Sequence, residues 1–283
     1  MKKYIVICFL LCCSLLNAQQ VKEPGNNPEE WSKPYEPFRI VGNLYYVGTY
    51  DLASYLVVTN KGSMLINTGL AGSLPRIKSN IEKLGFKYED VKILLTNQAH
   101  YDHVGALAEI KRQTGARFYA NAADASVLKD GGKSDYELSH LGQAFRPVEP
   151  DKLLKDRDTI QLGTTQLTML HHPGHTKGSC SYLLDVTEAG KTYKVLIANI
   201  PTIITDRPFA QIAEYPSIKK DYTYTFEAMK KLKFDIWLAA HASQFDLHEK
   251  RSPNTPYNPG LFVDPKGYQQ ALQNAEDRFI KHP

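Results

Sequence analysis

Apolar residues in the first half of the chain follow two periodicities, which predict short strands and amphipathic helices. Runs rich in β-branched and aromatic residues are bounded by Gly and Asn-Lys-Gly turn signals, as strands are. Apolar residues at positions 74, 77, 81 and 84 instead share one face of a helix, and Ser73 and Pro75 mark its start. The predicted strands span 44–47, 54–58, 63–66, 92–95 and 117–119, and a second helix opens at Val104.

The second half repeats this pattern of strands followed by helices. Strands are predicted at 160–162, 167–170, 181–184, 194–197 and 235–239. Tyr222, Phe226 and Met229 form a helical stripe before the last strand. Asp264-Pro265 is typical of an N-cap followed by Pro in the first turn of a helix. Two such halves predict an α/β fold in which two sheets pack face to face with helices outside.

The first 18 residues are predicted to be a secretory signal peptide. Lys2 and Lys3 precede an apolar stretch over 4–16, and Ala18 offers a small residue for cleavage. The stretch is short for a membrane span and no stop-transfer pattern follows it, although an uncleaved anchor and a lipid at Cys12 are alternatives. We therefore expect a signal peptide at 1–18, one mature domain at 19–283, a periplasmic location and no stable membrane association.

Composition and charge restrict the class of partner. With 42% hydrophobic and 23% charged residues among 283, the chain has the composition of a globular protein. Loss of Lys2 and Lys3 with the signal peptide lowers the formal net charge from +4 to +2, which gives no indication of a nucleic-acid partner. Only Cys180 remains in the mature chain, so a hydrophobic core rather than an internal disulfide must stabilise it. We expect a monomer.

The segment Gln98-Ala-His-Tyr-Asp-His carries three residues of metal-ligand type within four positions. It lies between a predicted strand and a predicted helix, so His100, Asp102 and His103 share one short turn. Imidazole and carboxylate are ligands that catalytic Zn²⁺ prefers, and such a turn suits two ions about 3.5–4 Å apart. A polar loop that caps a helix would explain one such histidine, but it does not explain three residues of ligand type within four positions.

Two further histidines lie in loops that directly follow strands. His175 belongs to the segment His171-His-Pro-Gly-His-Thr, and His241 belongs to Ala239-Ala-His-Ala. Loops on a rigid scaffold commonly present catalytic groups. We therefore predict that both are metal ligands beside the three of the first motif. Neither His171 nor His172 is interpreted as a ligand; one of the two is expected to pack beside the site or to donate a hydrogen bond to a residue that supports it.

Three segments resemble the metallo-β-lactamase superfamily: Gln98-Ala-His-Tyr-Asp-His, Pro-Gly-His-Thr-Lys-Gly-Ser at 173–179, and Ala-Ala-His-Ala-Ser-Gln-Phe-Asp at 239–246. The stretch 241–250 resembles subclass B3, and Gln98 in place of the first motif histidine is similar to the GOB-type branch. The resemblance covers nearly the whole mature chain. It implies one metallo-β-lactamase domain over 19–283, an αββα four-layer sandwich with two Zn²⁺ in a cleft at its edge.

The resemblance also implies a ligand set and an activity. The implied ligands are Gln98, His100 and His175 for the first zinc, and Asp102, His103 and His241 for the second. The implied activity is hydrolysis of the β-lactam amide by a metal-bound hydroxide, which confers resistance to β-lactam antibiotics. His100, Asp102 and His103 are the candidate catalytic residues, and a small β-lactam is the expected partner.

A missing carboxylate bears on the substrate. Related hydrolases such as glyoxalase II carry a metal-bridging Asp between the last two ligand histidines. This chain has Asn199 and Ile200 there, and Asp206 comes several residues too late. Two Zn²⁺ with Asp102 and one hydroxide leave a charge of about +2, one unit more positive than with a bridging Asp. Such a site suits a substrate that bears its own carboxylate, as a β-lactam does.

Two residues depart from the wider family pattern. Gln98 offers a neutral amide in place of imidazole, so we expect a weaker first zinc site, with a one-zinc enzyme that uses the Asp102 site as the alternative. Ile200 stands where many subclass B3 members have Ser. Recognition of the substrate carboxylate must then fall to the metal, to other loop residues or to water.

Substrate contacts are expected from residues near the cleft. Tyr136 and Phe145, in the polar segment 130–150, are candidates for a mobile flank. Tyr50 and Asp51 are candidates for the floor or rim of the cleft, and Ile200 is a candidate for substrate contact. Simple hydrophobic packing is the alternative for the aromatic residues. For the whole protein, the alternatives are a hydrolase of the same fold that acts on a thioester, lactone or phosphoester, and a zinc-binding protein without catalysis.

Overall fold

The computed structural model describes Val21 and residues 23–283. The signal peptide predicted at 1–18 lies outside the described residues. Within the part that is described, no helix is both long enough and apolar enough to cross a membrane.

The first sheet has seven strands within the described residues, and their spatial order follows the chain. They are β1 (Phe38–Val41), β2 (Leu44–Tyr46), β3 (Tyr55–Thr59), β4 (Gly62–Ile66), β5 (Val91–Leu95), β6 (Arg117–Asn121) and β7 (Lys152–Leu154). The strands from β1 to β4 pair antiparallel, and those from β4 to β7 pair parallel. Alternation along β4 sends Met64 towards the second sheet and Leu65 towards the outer helices. Leu65 lies opposite Leu94 of β5, so both strands present the same face outwards.

The second sheet contains the remaining five described strands. They are β8 (Thr159–Leu162), β9 (Thr165–His171), β10 (Cys180–Glu188), β11 (Lys191–Ala198) and β12 (Ile236–Ala239), in the spatial order β12-β11-β10-β9-β8. β11 and β12 run parallel, whereas the other neighbours are antiparallel. All four residues of β12 are buried, as expected for a strand covered on both faces.

Helices cover the outer faces of both sheets. The described helices are α1 (Leu74–Lys83), α2 (Tyr101–Val104), α3 (Leu107–Thr114), α4 (Ala125–Asp130), α5 (Ile218–Lys230), α6 (Leu247–Lys250) and α7 (Pro265–Lys281). Buried residues of α1, α3 and α4 pack on the first sheet, and those of α5 and α7 belong to the core cluster that includes the second. The side chain of Asp264 accepts the Gly267 N–H and caps α7, as predicted. The predicted αββα sandwich is confirmed.

Strand direction decides where the functional loops meet. β9 and β11 both run antiparallel to β10, and β12 runs parallel to β11, so these three strands end at the same edge of the second sheet. The loop after β5 meets the second sheet there, since the Asn97 side chain donates to the Cys180 carbonyl at the start of β10. The predicted ligands all follow β5, β9 or β12.

The helix after the first metal motif begins earlier than predicted. It was expected to open at Val104, but α2 starts at Tyr101 and the chain bends at Gly105 before α3. A Cβ on Gly105 would clash with the backbone of Leu70 and Ala71, so only glycine allows this close approach. The motif therefore lies on a helical turn packed directly against the first sheet's loops.

Candidate metal centre

Three loops bring the six predicted ligands together at one edge of the sandwich. The segment after β5 supplies four of them, the loop after β9 supplies one, and the turn after β12 supplies one. They fall into two groups of three, which we call the first half (Gln98, His100, His175) and the second half (Asp102, His103, His241). Five of the six are buried, and the sixth, His241, has a side-chain exposure of 16%.

In the first half, two histidines face each other through nitrogens that carry lone pairs. His100 Nδ1 lies 3.1 Å from His175 Nε2. His175 Nδ1 lies 2.8 Å from the carbonyl oxygen of Thr202, so it must donate, and Nε2 is left without a proton. His100 Nε2 lies 3.2 Å from Asp135 Oδ2, which by the same reasoning leaves Nδ1 as the acceptor nitrogen. Two facing lone pairs need a shared proton or a cation between them.

The pKa values of these two histidines diverge accordingly. Burial opposes charge on His100, but the carboxylates of Asp135, Asp102 and Asp124 together outweigh burial and raise the pKa of His100. Burial and the neighbouring His100 lower the pKa of His175 to about 3. Without a metal, a single proton is therefore shared between the two rings, at the position where a cation would bind.

In the second half, one carboxylate lies between two imidazoles. Asp102 Oδ2 lies 3.1 Å from His103 Nε2 and 3.4 Å from His241 Nε2. His241 Nδ1 lies 3.0 Å from Asp51 Oδ2, and Asp51 Oδ1 accepts the Ser243 N–H. Asp51 thus directs Nε2 of His241 towards Asp102, as carboxylates commonly do for metal-binding histidines.

Charge is concentrated in this second half. Although burial opposes ionisation, His103 and His241 hold the pKa of Asp102 well below its usual range. Burial likewise opposes charge on His241, but hydrogen bonds to Asp102 and Asp51 raise its pKa to about 9. Burial lowers the pKa of His103. This half therefore combines an ionised carboxylate with a neutral imidazole and one that holds its proton at neutral pH.

The donor set fits zinc on three observations. Gln98 Oε1 is buried without a hydrogen-bond partner, and His103 Nε2, although 3.1 Å from Asp102 Oδ2, makes no hydrogen bond of suitable geometry. Such orphaned polar atoms are costly unless something binds them. Nitrogen and oxygen donors of Asp102, His103 and His241 all lie within 4.8 Å of one another. The pairwise spacings of 3.1 to 3.4 Å are close to the ~3.3 Å that tetrahedral zinc with bonds of ~2.0–2.1 Å requires.

A buried carboxylate that the sequence reasoning missed braces the first half. Asp124 Oδ2 accepts from the Ala99 N–H at 3.1 Å and from the Thr176 hydroxyl at 2.8 Å, and Oδ1 accepts the Gly178 N–H at 2.6 Å. These partners belong to the loops that carry Gln98 and His175. Asp124 therefore holds the two loops of the first half at a set distance.

An aromatic residue that was also missed covers the second half. The Trp31 ring centroid lies 5.6 Å from that of His241 and 6.2 Å from that of Tyr101. Trp31 lies in a short 3-10 helix, Glu29–Trp31, before the first strand. A tryptophan in an otherwise polar segment was the available signal.

The four candidates for substrate contact occupy different environments. Phe145 is 1% exposed in the core between the first sheet and its helices, and Tyr136 is 3% exposed with its ring edge-on to Tyr215. Both positions match the alternative of hydrophobic packing. The Tyr50 ring stacks on His248 at 3.6 Å. Ile200 lines a cavity of about 370 Å³.

The position of a bridging acid holds an amide. Asn199 directly follows β11 and is 3% exposed, and its Nδ2 has no hydrogen-bond partner. Asp206 is exposed on the loop beyond it. Asp102 is therefore the one carboxylate among the six candidate ligands.

Comparison with known proteins agrees with this geometry. A sequence model of the metallo-beta-lactamase superfamily matches residues 49–188. The crystal structure of the metallo-beta-lactamase GOB-18 from Elizabethkingia meningoseptica is 60% identical, with a TM-score of 0.93 over 94% of this chain and 98% of that one. The class B3 di-zinc metallo-beta-lactamase LRA-12 from an Alaskan soil metagenome is 56% identical, with a TM-score of 0.91 over 93% of this chain and 99% of that one. The chain belongs to the metallo-β-lactamase superfamily and, within it, to subclass B3.

The predicted resemblance to the GOB-type branch is thereby confirmed. Curated relatives are more distant. The acyl-coenzyme A thioesterase MBLAC2 of Homo sapiens is 30% identical over 147 residues, which cover 44% of this chain and 51% of the relative. The chain spans about half the length of the curated relatives it matches.

Proposed function

We propose that this protein hydrolyses the amide bond of β-lactam antibiotics with zinc and so confers resistance to them. The observation that carries the proposal is the convergence of six donor residues from three loops, with orphaned donor atoms and facing lone pairs. The likeness over nearly the whole length of GOB-18 and LRA-12, which are named as metallo-beta-lactamases, supports the choice of substrate.

Each residue has a proposed role. Gln98, His100 and His175 would hold the first zinc, and Asp102, His103 and His241 the second. Zinc held there lowers the pKa of water to about 7 and polarises a carbonyl group. Asp102 would orient the attacking water as well as bind metal, because its carboxylate lies between two imidazoles at the centre of the cluster. His100 and His103, on either side of Asp102 in sequence, complete the proposed catalytic set.

The substrate class follows from charge and from the rim. With Asn199 in place of a bridging acid, the loaded site keeps a strong positive charge that would attract the carboxylate of a β-lactam. Ile200, two positions after β11 and 4% exposed, would contribute an apolar side chain without a hydrogen-bond donor on this side of the cleft. We propose that Trp31 forms an apolar wall above His241 and that Tyr50 and Tyr136 support the rim, whereas Phe145, in the core between the first sheet and its helices, contributes packing.

Location and assembly complete the proposal. We propose a signal peptide at 1–18 and a single mature domain over 19–283, exported to the periplasm as a monomer. Its partner would be a small β-lactam, with no nucleic acid and no stable membrane association. The formal charge of +4 for the whole chain supports this in part, since it is too small to favour a polyanion.

A chromogenic cephalosporin tests the function directly. Turnover by the purified protein that a chelator abolishes and added Zn²⁺ restores is the expected result. An acyl thioester is the matched second substrate, because one curated relative is named an acyl-coenzyme A thioesterase. Turnover of the thioester without the cephalosporin would replace the proposal with the second hydrolase, and bound zinc without turnover of either would leave a binding protein.

A further inference from the structure

Asp135 contacts two parts of the molecule with its two carboxylate oxygens. The side chain is almost fully buried, 4% exposed as a residue. Oδ2 lies 3.2 Å from Nε2 of His100. Oδ1 accepts the N–H groups of Glu137 and Leu138 at 2.8 and 2.7 Å. Asp135 therefore joins a proposed metal ligand to the start of the 3-10 helix Leu138–Leu141.

We propose that Asp135 is a positioning residue that couples the first zinc site to the segment 131–145 at the flank of the cleft. The proposal rests on the proposed function to the extent that zinc binds the first half. By accepting from Nε2, Asp135 selects the tautomer of His100 in which Nδ1 points its lone pair at His175. By accepting from Glu137 and Leu138, it orders the turn above that ligand.

The coupling acts in both directions. Binding of a cation at Nδ1 makes Nε2–H a stronger donor to Asp135, and a well-placed Asp135 makes Nδ1 a better ligand. By thermodynamic linkage, the free energy by which the ordered turn strengthens zinc binding equals the free energy by which bound zinc stabilises the ordered turn. We expect added zinc to slow hydrogen exchange at the N–H groups of Glu137 and Leu138.

A second anchor holds the same segment from outside. The Arg207 guanidinium donates to the Tyr136 carbonyl oxygen at 2.6 Å and lies 3.3 Å from Glu137 Oε2. The segment is thus fastened to the loop after β11 by Arg207 and to the metal centre by Asp135. Removing either the Asp135 contact or the Arg207 contact should weaken zinc binding at His100, although Arg207 touches no candidate ligand.

The first half depends on this support more than the second. Its third ligand is the neutral amide of Gln98, so two imidazoles supply most of its affinity. The second half has the Asp102 carboxylate and its own supporting carboxylate, Asp51, on His241. Asp51 therefore provides a matched control: the same kind of contact, on the other half.

Asn substitutions separate positioning from simple turn structure. In Asp135→Asn, the amide oxygen still caps the N–H groups of Glu137 and Leu138, but the NH2 group faces His100 Nε2. That contact favours the tautomer with the proton on Nδ1, which cannot bind metal. Asp51→Asn should do the same to His241.

The experiment titrates zinc into the full mature chain and its variants against a chromophoric chelator. Asp135→Asn is expected to weaken the first zinc by about 10–100-fold and leave the second unchanged, and Asp51→Asn to show the reverse. Arg207→Ala is expected to weaken the first zinc by a smaller factor. Added zinc should protect the amides of Glu137 and Leu138 in the wild type and not in Asp135→Asn.

The outcomes that overturn the proposal do not require turnover. The proposal is overturned if Asp135→Asn binds both zincs with wild-type affinity, or if the substitution weakens both sites equally. It is also overturned if the wild-type chain binds zinc in the second half alone. Exchange at Glu137 and Leu138 that is indifferent to zinc in the wild type would overturn the coupling even if Asp135→Asn failed to fold. Two-site binding without β-lactam turnover would instead end the proposed function and leave this inference standing.

Discussion

The two halves of the metal centre differ in the charge of their donors. The first half offers two imidazoles and the amide of Gln98, and none of the three brings a negative charge. The second half is centred on the ionised carboxylate of Asp102, with imidazoles 3.1 and 3.4 Å away. Because a carboxylate neutralises part of the charge of a divalent cation, the second half should bind zinc more tightly than the first.

The surroundings compensate for this difference. The first half is held by two buried carboxylates that do not point at the metal position, Asp135 behind His100 and Asp124 between its two loops. The second half has Asp51 behind His241. Where a ligand set is weak in charge, affinity then depends more on how firmly neighbouring groups hold the ligands in place.

Asp102→Ala is expected to have the largest effect. The substitution removes the sole carboxylate ligand of the proposed set and the partner of both His103 and His241. β-Lactam turnover should fall by more than ~100-fold, beyond the ~10–100-fold typical of residues that only orient a ligand. The second zinc should be lost while the first is retained, as measured by metal content after gel filtration.

Asp206→Ala is the matched control for this prediction. Asp206 is exposed on the loop after β11, so its loss should change neither turnover nor zinc content. Loss of the first zinc together with the second in Asp102→Ala would show that the two halves are not separable as described.

Acidification should reveal how much the buried, ionised carboxylate of Asp124 lowers the free energy of unfolding at neutral pH. Burial raises the pKa of Asp124 to about 6, above the 3.8 of an unfolded aspartate. The folded protein then binds a proton that the unfolded chain does not, so stability due to this group rises as the pH falls from about 6 to 3.8. The displacement corresponds to about 3 kcal/mol in the free energy of unfolding.

Denaturant unfolding of chelator-treated protein at pH 7 and at pH 4 measures the contribution of Asp124 to the free energy of unfolding. The reference is Asp124→Asn, whose side chain cannot titrate. The wild type should gain about 2 kcal/mol relative to the variant at pH 4, which is most of the full displacement. Asp206→Asn, at an exposed site, should show no such difference. A wild type that loses stability relative to Asp124→Asn on acidification would mean that the hydrogen bonds from Ala99, Thr176 and Gly178 keep the carboxylate ionised.

Replacing Gln98 with a stronger ligand should reduce the difference in zinc affinity between the two halves. Gln98→His puts an imidazole where a buried amide oxygen has no partner. The first zinc should then bind about 10-fold more tightly, because a neutral amide is a poorer donor to zinc than imidazole. Chelator competition measures the change, with the exposed Gln161→His as the control. Unchanged affinity at both sites would place Gln98 outside the ligand set.

The sequence was sufficient to predict which candidate ligands converge, because each lies in a segment that follows a recognisable strand. β5 and β12 could be predicted directly from their runs of apolar residues, which are buried in the fold. The first motif follows β5 within a few positions. The strand β7 was missed because two of its three residues are exposed, and an edge strand needs little apolar pattern. β1 was missed where Pro and Arg obscure the alternation around it.

Asp51 was a candidate for the floor or rim of the cleft, but its contact with His241, like that of Asp135 with His100, could not be predicted from local pattern. Asp51 and His241 are 190 positions apart, and Asp135 and His100 are 35 apart. An isolated Asp in a polar segment looks like a solvated loop residue whatever it contacts after folding. Phe145 shows the opposite case, since its polar neighbours suggested a cleft flank and its side chain lies in the core.

The smallest effect is expected from the aromatic cover of the second half. The ring centroid of Trp31 lies 5.6 Å from that of His241, but Trp31 supplies no ligand atom to the candidate metal position. Trp31→Ala should raise KM for a cephalosporin by about 2–10-fold, the range that loss of one aromatic contact of ~0.5–1.5 kcal/mol allows, with zinc content and kcat nearly unchanged. Trp31→Phe should recover most of the loss. If Trp31→Ala instead releases the second zinc, then the ring acts by holding His241 in place. The residues around both halves would then serve to support metal ligands, and none of them would be needed for contact with substrate.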